Sequence, residues 1–268
     1  MTLLESLKEK ARKNPMRIVL AEGTEPRTVK AATIITQEKL AKVILVGNRA
    51  QIDAVAKEQG VDATNVPSVD PETAANFDDY ANTYYEARKA KGMTPEEARK
   101  IMKDTVFYGT MMVHKGEADG LVSGALHTTG DTIRPALQFI KTKPGISIVS
   151  SSFIMIVPDC EYGDNGMFIF ADCAVMPAPN EAELAQIAIA SAEMMSFMAH
   201  YAHTECDVLE LADPALVART AAFIADVVRR ASHSAGVTAA TPITIPRVVS
   251  MALRGLRRRD FTAKRKVR

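Results

Sequence analysis

MRIVLAEGTEPRTVKAATIITQEKLAKVILVGN, residues 16–48, decides the fold. Residues 16–22 form a short apolar run ended by the turn formers Gly23 and Pro26, and apolar positions recur at helical spacing from 25 to 37. The pattern then repeats: KVILV is closed by Gly47 and Asn48, and residues 51–58 are helical again. Two such runs joined through a helix predict parallel strands, because parallel neighbours need a crossover connection. The expected class is therefore α/β, a three-layer helix, sheet, helix arrangement around a parallel sheet. Loops that handle a ligand are expected at the C-terminal ends of its strands.

Upstream, MTLLESLKEKARKN is a charged amphipathic helix that lacks the apolar core of a secretory signal. Downstream, helices are expected over residues 71–90, 94–103 and 105–115, the second announced by Thr94, Pro95, Glu96 and Glu97. In ADGLVSGALHTTGDTIRPALQFI, residues 118–140, strand (120–123), polar loop (124–130) and helix (131–140) follow one another again. Residues 146–157 and 167–176 read as strands joined by the turn-rich PDCEYGDNG, through a hairpin or a crossing connection. Asn180, Glu181 and Glu183 open a helix over 180–198. Beyond it a helix is expected only at 213–230.

Composition narrows the classes. The chain has 268 residues, 47% of them hydrophobic and 24% charged, with a formal net charge of +1. That is enough apolar material for one large or two modest domains and excludes disorder over the whole length. No run approaches the roughly 18 to 20 apolar residues of a membrane span, and a cytoplasmic protein is expected. Three cysteines (Cys160, Cys173, Cys206) are too few for a disulfide framework. The charge balance hides a break near residue 200, however. Residues 1–198 carry 14 Lys and 7 Arg against 26 acidic side chains, and residues 199–268 carry 2 Lys and 10 Arg against 6. Such a swing in sign and in Lys-to-Arg usage marks an appended segment.

Several residues have types suited to chemistry. In SGALHTTGDTIRP, residues 123–135, small residues, hydroxyls and backbone N–H groups lead into a helix start, an arrangement that takes an anion. Arg134, one turn in, adds a charge able to grip phosphate at two points; the competing reading is a tight turn with a surface Arg. Neither GxxxxGK[ST] nor GxGxxG occurs. Arg88, near the end of a helix beside Lys89 and Lys91, reads as a helix C-terminal cap. Cys160, between Asp159 and Glu161, sits where thiolate formation is discouraged, and Cys173 lies in an apolar strand. His127 could contact a ligand or simply face solvent. His200, His203 and Cys206 fall short of a metal site, and no metal is expected. LRGLRRRDFTAKRKVR reads as a solvated terminus rather than a nucleic-acid or membrane surface.

These segments together resemble the phosphate acetyltransferase (phosphotransacetylase) family over residues 1–198, in IVLAEGTEPRTVKAA, KVILVGN, ADGLVSGALHTTGDTIRPALQFIKTKPG and SSSFIMIVPDCEYGDNGMFIFADCAVMPAPNEAELAQIAIASAE. The resemblance implies a two-domain fold similar to the isocitrate and isopropylmalate dehydrogenases, divided here into a first α/β domain (1–143), the start of a second (144–198) and a divergent Ala/Arg-rich segment (199–268). It implies reversible transfer of acetyl between acetyl phosphate and coenzyme A by a homodimer, with no bound cofactor, no nucleic acid and no membrane. Arg134 and Arg88 match family residues that hold substrate, and Ser123, Gly124, Thr128 and Thr129 lie in the same substrate loop. Cys160 matches a cysteine near the site that is not a nucleophile. The alternatives are a phosphate butyryltransferase and a noncatalytic remnant that binds phosphate, coenzyme A or a polyanion.

Family members continue after the position of Met198 and end in a Ser-Arg-Gly motif followed by an Asp that serves as thiol base. No Ser-Arg-Gly occurs here. The nearest echo is Arg254, Gly255 and Asp260, with Leu253 in place of the Ser, which leaves Asp260 as the candidate base. Because the compositional break and the loss of family pattern coincide, the expectation is that a frameshift, a fusion or a wrongly assigned gene end replaced the second domain's remainder.

Overall fold

A computed structural model describes residues 3–142, 144–162 and 166–202, and the expectations for 213–230, Asp260, His203 and Cys206 lie outside them. The chain divides into two compact units, Met1–Pro144 and Gly145–Arg268.

The first unit is a four-stranded parallel sheet in the order β3-β2-β1-β4, made of β1 (Arg17–Leu20), β2 (Lys42–Val46), β3 (Ser68–Val69) and β4 (Gly120–Val122). Alternate residues of each strand enter opposite cores, as the pleat requires. Leu20, Val43 and Leu45 pack against α2 (Pro26–Gln37) and α3 (Arg49–Glu58). On the other face, Val19 and Val46 pack against α4 (Phe77–Arg88), α5 (Pro95–Met102) and α6 (Thr105–His114). The three-layer arrangement expected for this part is therefore present. Helix α1 (Leu3–Lys13) precedes β1 and is tied to the end of α2 by Lys8 and Arg12, both paired with Glu38.

Local chemistry sets the element ends. Asn48 accepts from Ala50 and Gln51 N–H, which starts α3 two residues before the sequence reading. Thr94 and Glu97 exchange hydrogen bonds as a capping box, as expected. Helix α6 lies unusually close to the sheet at Gly109, where a Cβ would stand 2.8 Å from Leu121 Cδ1 and 2.9 Å from Val19 Cγ1.

Four expectations need correction. Residues 71–76 turn before α4 begins, because Asp70 accepts from Glu72 N–H and Thr73 N–H, and the two-residue β3 precedes them. The 131–140 helix is α7 (Thr129–Pro135), capped by Thr128, followed by a wider π-helical turn over Ala136–Ile140. In the second unit only Ser152–Ile156 (β5) of the 146–157 run is strand. Ser147 and Ser151 instead give their N–H groups to Gln186 and Asp172; side-chain acceptors of this kind compete with a ladder. Strand β6 (Met167–Ala171) stops at Asp172, whose carboxylate accepts from Ala174 and Val175 N–H.

Strands β5 and β6 pair antiparallel from Ser152–Ala171 to Ile156–Met167, so the connection is a hairpin. Helix α8 (Glu181–Ala202) follows, begun by a reciprocal Asn180–Glu183 cap, and it packs on β6. Phe153, Ile154, Met155, Ile156 and Phe170 of the hairpin are exposed.

Candidate functional site

The order β3-β2-β1-β4 reverses between β1 and β4. Chain direction on the sheet switches there, and the two strands' C-terminal loops diverge to leave the crevice in which open α/β sheets hold ligands. Residues 21–25 follow β1 and residues 123–128 follow β4.

Glu22 links the two loops. It is 5% exposed, and its Oε2 accepts from Gly124 N–H at 3.0 Å and Ala125 N–H at 2.8 Å. Oε1 accepts from Leu126 N–H at 2.7 Å and His127 N–H at 2.9 Å, with His127 Nδ1 at 2.8 Å. The turn that aligns these four amides needs φ +112° at Gly124, which a side chain rarely adopts. Burial alone would raise the Glu22 carboxyl, but the donors from Leu126, His127 and Ala125 outweigh it and hold the group at about 2. Arg27 adds a second tie, donating to Glu25 Oε1 at 2.6 Å and to the Ala125 carbonyl at 2.9 Å.

The loop thus has the anion-receiving geometry read from its sequence, but a carboxylate of the same chain fills its backbone donors. Gly124 spends its N–H on Glu22. Thr128 accepts from Asp131 N–H as the cap of α7 and donates to Asp131 Oδ2 at 2.7 Å. Thr129 begins the helix and is exposed, and Arg134 is exposed and pairs with Asp131 at 3.1 Å.

Arg88 reaches the same end of the unit through three helices. Helix α4 runs antiparallel to α6: Asp79 pairs with Lys115, Tyr80 stacks on Tyr108, and Tyr84 meets Phe107. Helix α6 runs in the same sense as residues 129–140, since Asp104 at its start faces His127 and His114 at its end meets Phe139. The Tyr84 hydroxyl donates to Gln138 Oε1 at 2.5 Å, which fastens α4 to the π-helical turn. Arg88 lies one turn beyond Tyr84 and Arg134 one turn before Gln138, on the side of that bond facing the β4 loop.

Among the described residues four side-chain polar atoms are buried without a hydrogen-bond partner: Tyr80 Oη, Arg88 Nε, Ser123 Oγ and Thr132 Oγ1. A buried polar atom left unpaired costs about 1–3 kcal/mol, so each of the last three is a group that an external polar atom can satisfy. Glu22 and Thr132 went unnoticed in the sequence. Thr132 had a signal, its place half a turn before Arg134; Glu22 had none, because its partners are about a hundred residues away.

In the second unit, Cys160 follows Asp159, which has φ 53°, and its Sγ lies 3.9 Å from the Tyr162 carbonyl. Asp172 gathers a tighter cluster, with Ser151 N–H at 3.0 Å, Ser151 Oγ at 2.6 Å and the N–H groups of Ala174 and Val175. Burial opposes its ionisation, and the donors from Ser151, Val175 and Ala174 hold the carboxyl well below its usual range. Among the described residues no group of three or more His, Cys, Asp or Glu side chains could hold a metal, and no helix is long and apolar enough to cross a membrane.

Comparison with known proteins finds relatives over the same part of the chain. A phosphate acetyltransferase of Thermoanaerobacterium thermosaccharolyticum is 52% identical over 192 residues, covering 72% of this chain and 58% of that protein. One from Clostridium acetobutylicum is 49% identical over 193 residues, again 72% of this chain and 58% of its own length. Among solved structures, a phosphotransacetylase from Streptococcus pyogenes matches with a TM-score of 0.68 at 38% identity, over 74% of this chain and 60% of that one. An EutD phosphotransacetylase from Staphylococcus aureus matches with a TM-score of 0.65 at 39% identity, over 73% and 57%. The chain therefore spans somewhat more than half the length of these relatives. The family model for phosphate acetyl/butaryl transferase matches residues 2–203, a stretch that contains Glu22, Arg88, the β4 loop, Arg134 and Cys160. On that match and these identities, the chain belongs to the phosphate acetyl/butaryl transferase family.

Proposed function

We propose that the protein is built for reversible acetyl transfer between acetyl phosphate and coenzyme A. The observation that carries this reading is the identity near 50% to proteins named phosphate acetyltransferase, over a matched stretch that holds all the candidate contacts except Asp260. The unpartnered Arg88 Nε and Ser123 Oγ support it. Arg88 and Arg134 bind the phosphoryl oxygens, and Ser123, Thr128 and Thr129 supply hydroxyls to the same group. Gly124, its N–H held by Glu22, shapes the loop. The coenzyme A thiolate attacks the acetyl carbonyl carbon, the tetrahedral adduct collapses, and the carbon–oxygen bond to phosphate breaks. The thiol proton passes to a base, for which Asp260 is the candidate. Cys160 forms no acyl-enzyme. The working form is a cytoplasmic homodimer with no bound cofactor.

Thioester formation from acetyl phosphate and coenzyme A tests this, with Arg134→Ala as control and butyryl phosphate as competing substrate. Thioester formation lost in Arg134→Ala supports the reading. Preference for butyryl phosphate, or activity indifferent to Arg134, refutes it.

A further inference from the structure

The reaction as written gives no substrate contact to Glu22, a nearly buried carboxylate at the switch point with five nitrogen donors around it. We propose that Glu22 is the positioning residue of this site, fixing the β4 loop and the His127 ring so that Ser123, Thr128 and Arg134 are presented in one register. The proposal rests on the function given above for what those residues bind. Its own basis is geometric.

Four successive amides converging on one point form a receptor for an anion. In this chain the occupant is covalently attached, so the loop is shaped before any substrate arrives. Ser123 directly precedes the first of the four amides and Thr128, the cap of α7, directly follows the last. Displacing the carboxylate therefore moves the Ser123 hydroxyl, the start of α7 and, through α7, Arg134 together. An ionised carboxylate only accepts, so His127 Nδ1 carries the proton toward Glu22, and the ring's tautomer is set by the same contact. Nε2 is then directed outward, with Asp104 Oδ2 at 3.9 Å, beyond hydrogen-bonding distance. Since the backbone donors are already used, the substrate's phosphoryl group is gripped by side chains, and its affinity depends on Glu22 without contact.

The test compares the full chain with Glu22→Gln, Glu22→Asp and Glu22→Ala. Hydrogen exchange across residues 118–135 is followed alongside acetyl phosphate binding by calorimetry, and α2 and α3 serve as internal references. Gln keeps the shape but turns an NH₂ toward two of the donors, so exchange at residues 124–127 is expected to rise about 10- to 100-fold, as for loss of charge-assisted hydrogen bonds. Acetyl phosphate affinity falls by a similar factor while α2 and α3 stay protected. Added formate, with chloride as control, restores protection in Glu22→Ala by replacing the missing carboxylate. Unchanged exchange and affinity in Glu22→Gln, or no formate rescue in a folded Glu22→Ala, overturns the proposal. Should the Gln and Ala variants lose the α2 and α3 reference, Glu22→Asp decides: a loss confined to residues 118–135 supports it, and wild-type protection there overturns it. If the wild-type chain binds no acetyl phosphate, the functional reading fails separately, and the exchange and formate arms still judge Glu22.

Discussion

Replacing Gly109 by Ala places a methyl group between α6 and the sheet, 2.8 Å from Leu121 Cδ1 and 2.9 Å from Val19 Cγ1. Carbon pairs rest at about 3.5–4.0 Å, so both contacts must open by roughly 0.7–1 Å. Val19 is fully buried on an inner strand and β-branched, which leaves it little freedom to turn away. Overpacking of this kind costs about 1–3 kcal/mol per site, against a gain of about 1 kcal/mol for Ala over Gly in a helix interior. Two contacts under 3.0 Å put the cost in the upper part of that range, about 2–3 kcal/mol, so the steric term wins and a net loss of about 1–2 kcal/mol is expected. The same exchange at Gly130 in α7 meets nothing closer than Thr128 Oγ1 at 3.9 Å, and the propensity gain then stands alone. With no Trp, and with four of the six tyrosines (Tyr80, Tyr84, Tyr85 and Tyr108) in the first unit against Tyr162 and Tyr201 in the second, tyrosine fluorescence in urea is weighted toward the first unit. For an m-value of about 2 kcal/mol/M, the midpoint falls by roughly 0.5–1 M for Gly109→Ala and rises by a few tenths for Gly130→Ala. A Gly109→Ala midpoint at or above wild type would show that the helix-to-sheet approach does not limit packing here.

Three further outcomes follow from the contacts described. Because the folded Glu22 carboxyl is held at about 2 against an ordinary 4.5, its stabilisation is complete above about pH 4.5 and is lost as pH falls toward 2. Acid titration of loop protection should show that loss in wild type and none in Glu22→Gln. Asp172→Asn is expected to destabilise the turn after β6 by about 1–3 kcal/mol, since an amide cannot accept on both sides from Ser151, Ala174 and Val175; proteolysis at residues 172–176 measures it, and wild-type resistance refutes it. Tyr84→Phe strands Gln138 Oε1 and loosens α4 from the π-helical turn. Acetyl phosphate affinity should fall several-fold, with the urea midpoint lowered by no more than about 0.5 M.

The parallel sheet was legible because its evidence is local. Residues 16–48 carry strand, helix and strand in one continuous pattern, and the Thr94–Glu97 cap lies within four residues. What escaped depends on distant partners. Ser68 and Val69 become strand only by pairing with Leu45 and Val46. The 146–157 run looked like a long strand until Ser147 and Ser151 found Gln186 and Asp172, 39 and 21 residues away. The β4 loop showed its anion-receiving form in its small residues, yet nothing local revealed that Glu22 fills it. The charge break near residue 200 lies close to residue 203, where the family match stops.

The hairpin carries a consequence for handling the protein. Its two strands pair only with each other among the described residues, and Phe153, Ile154, Met155, Ile156 and Phe170 leave apolar side chains on both of its faces. A ribbon with open edges and such faces recruits other chains as soon as warming loosens its surroundings. Heat denaturation should therefore be irreversible and dependent on scan rate, and the protein's useful lifetime at a given temperature will be set by a rate of conversion rather than by an equilibrium midpoint.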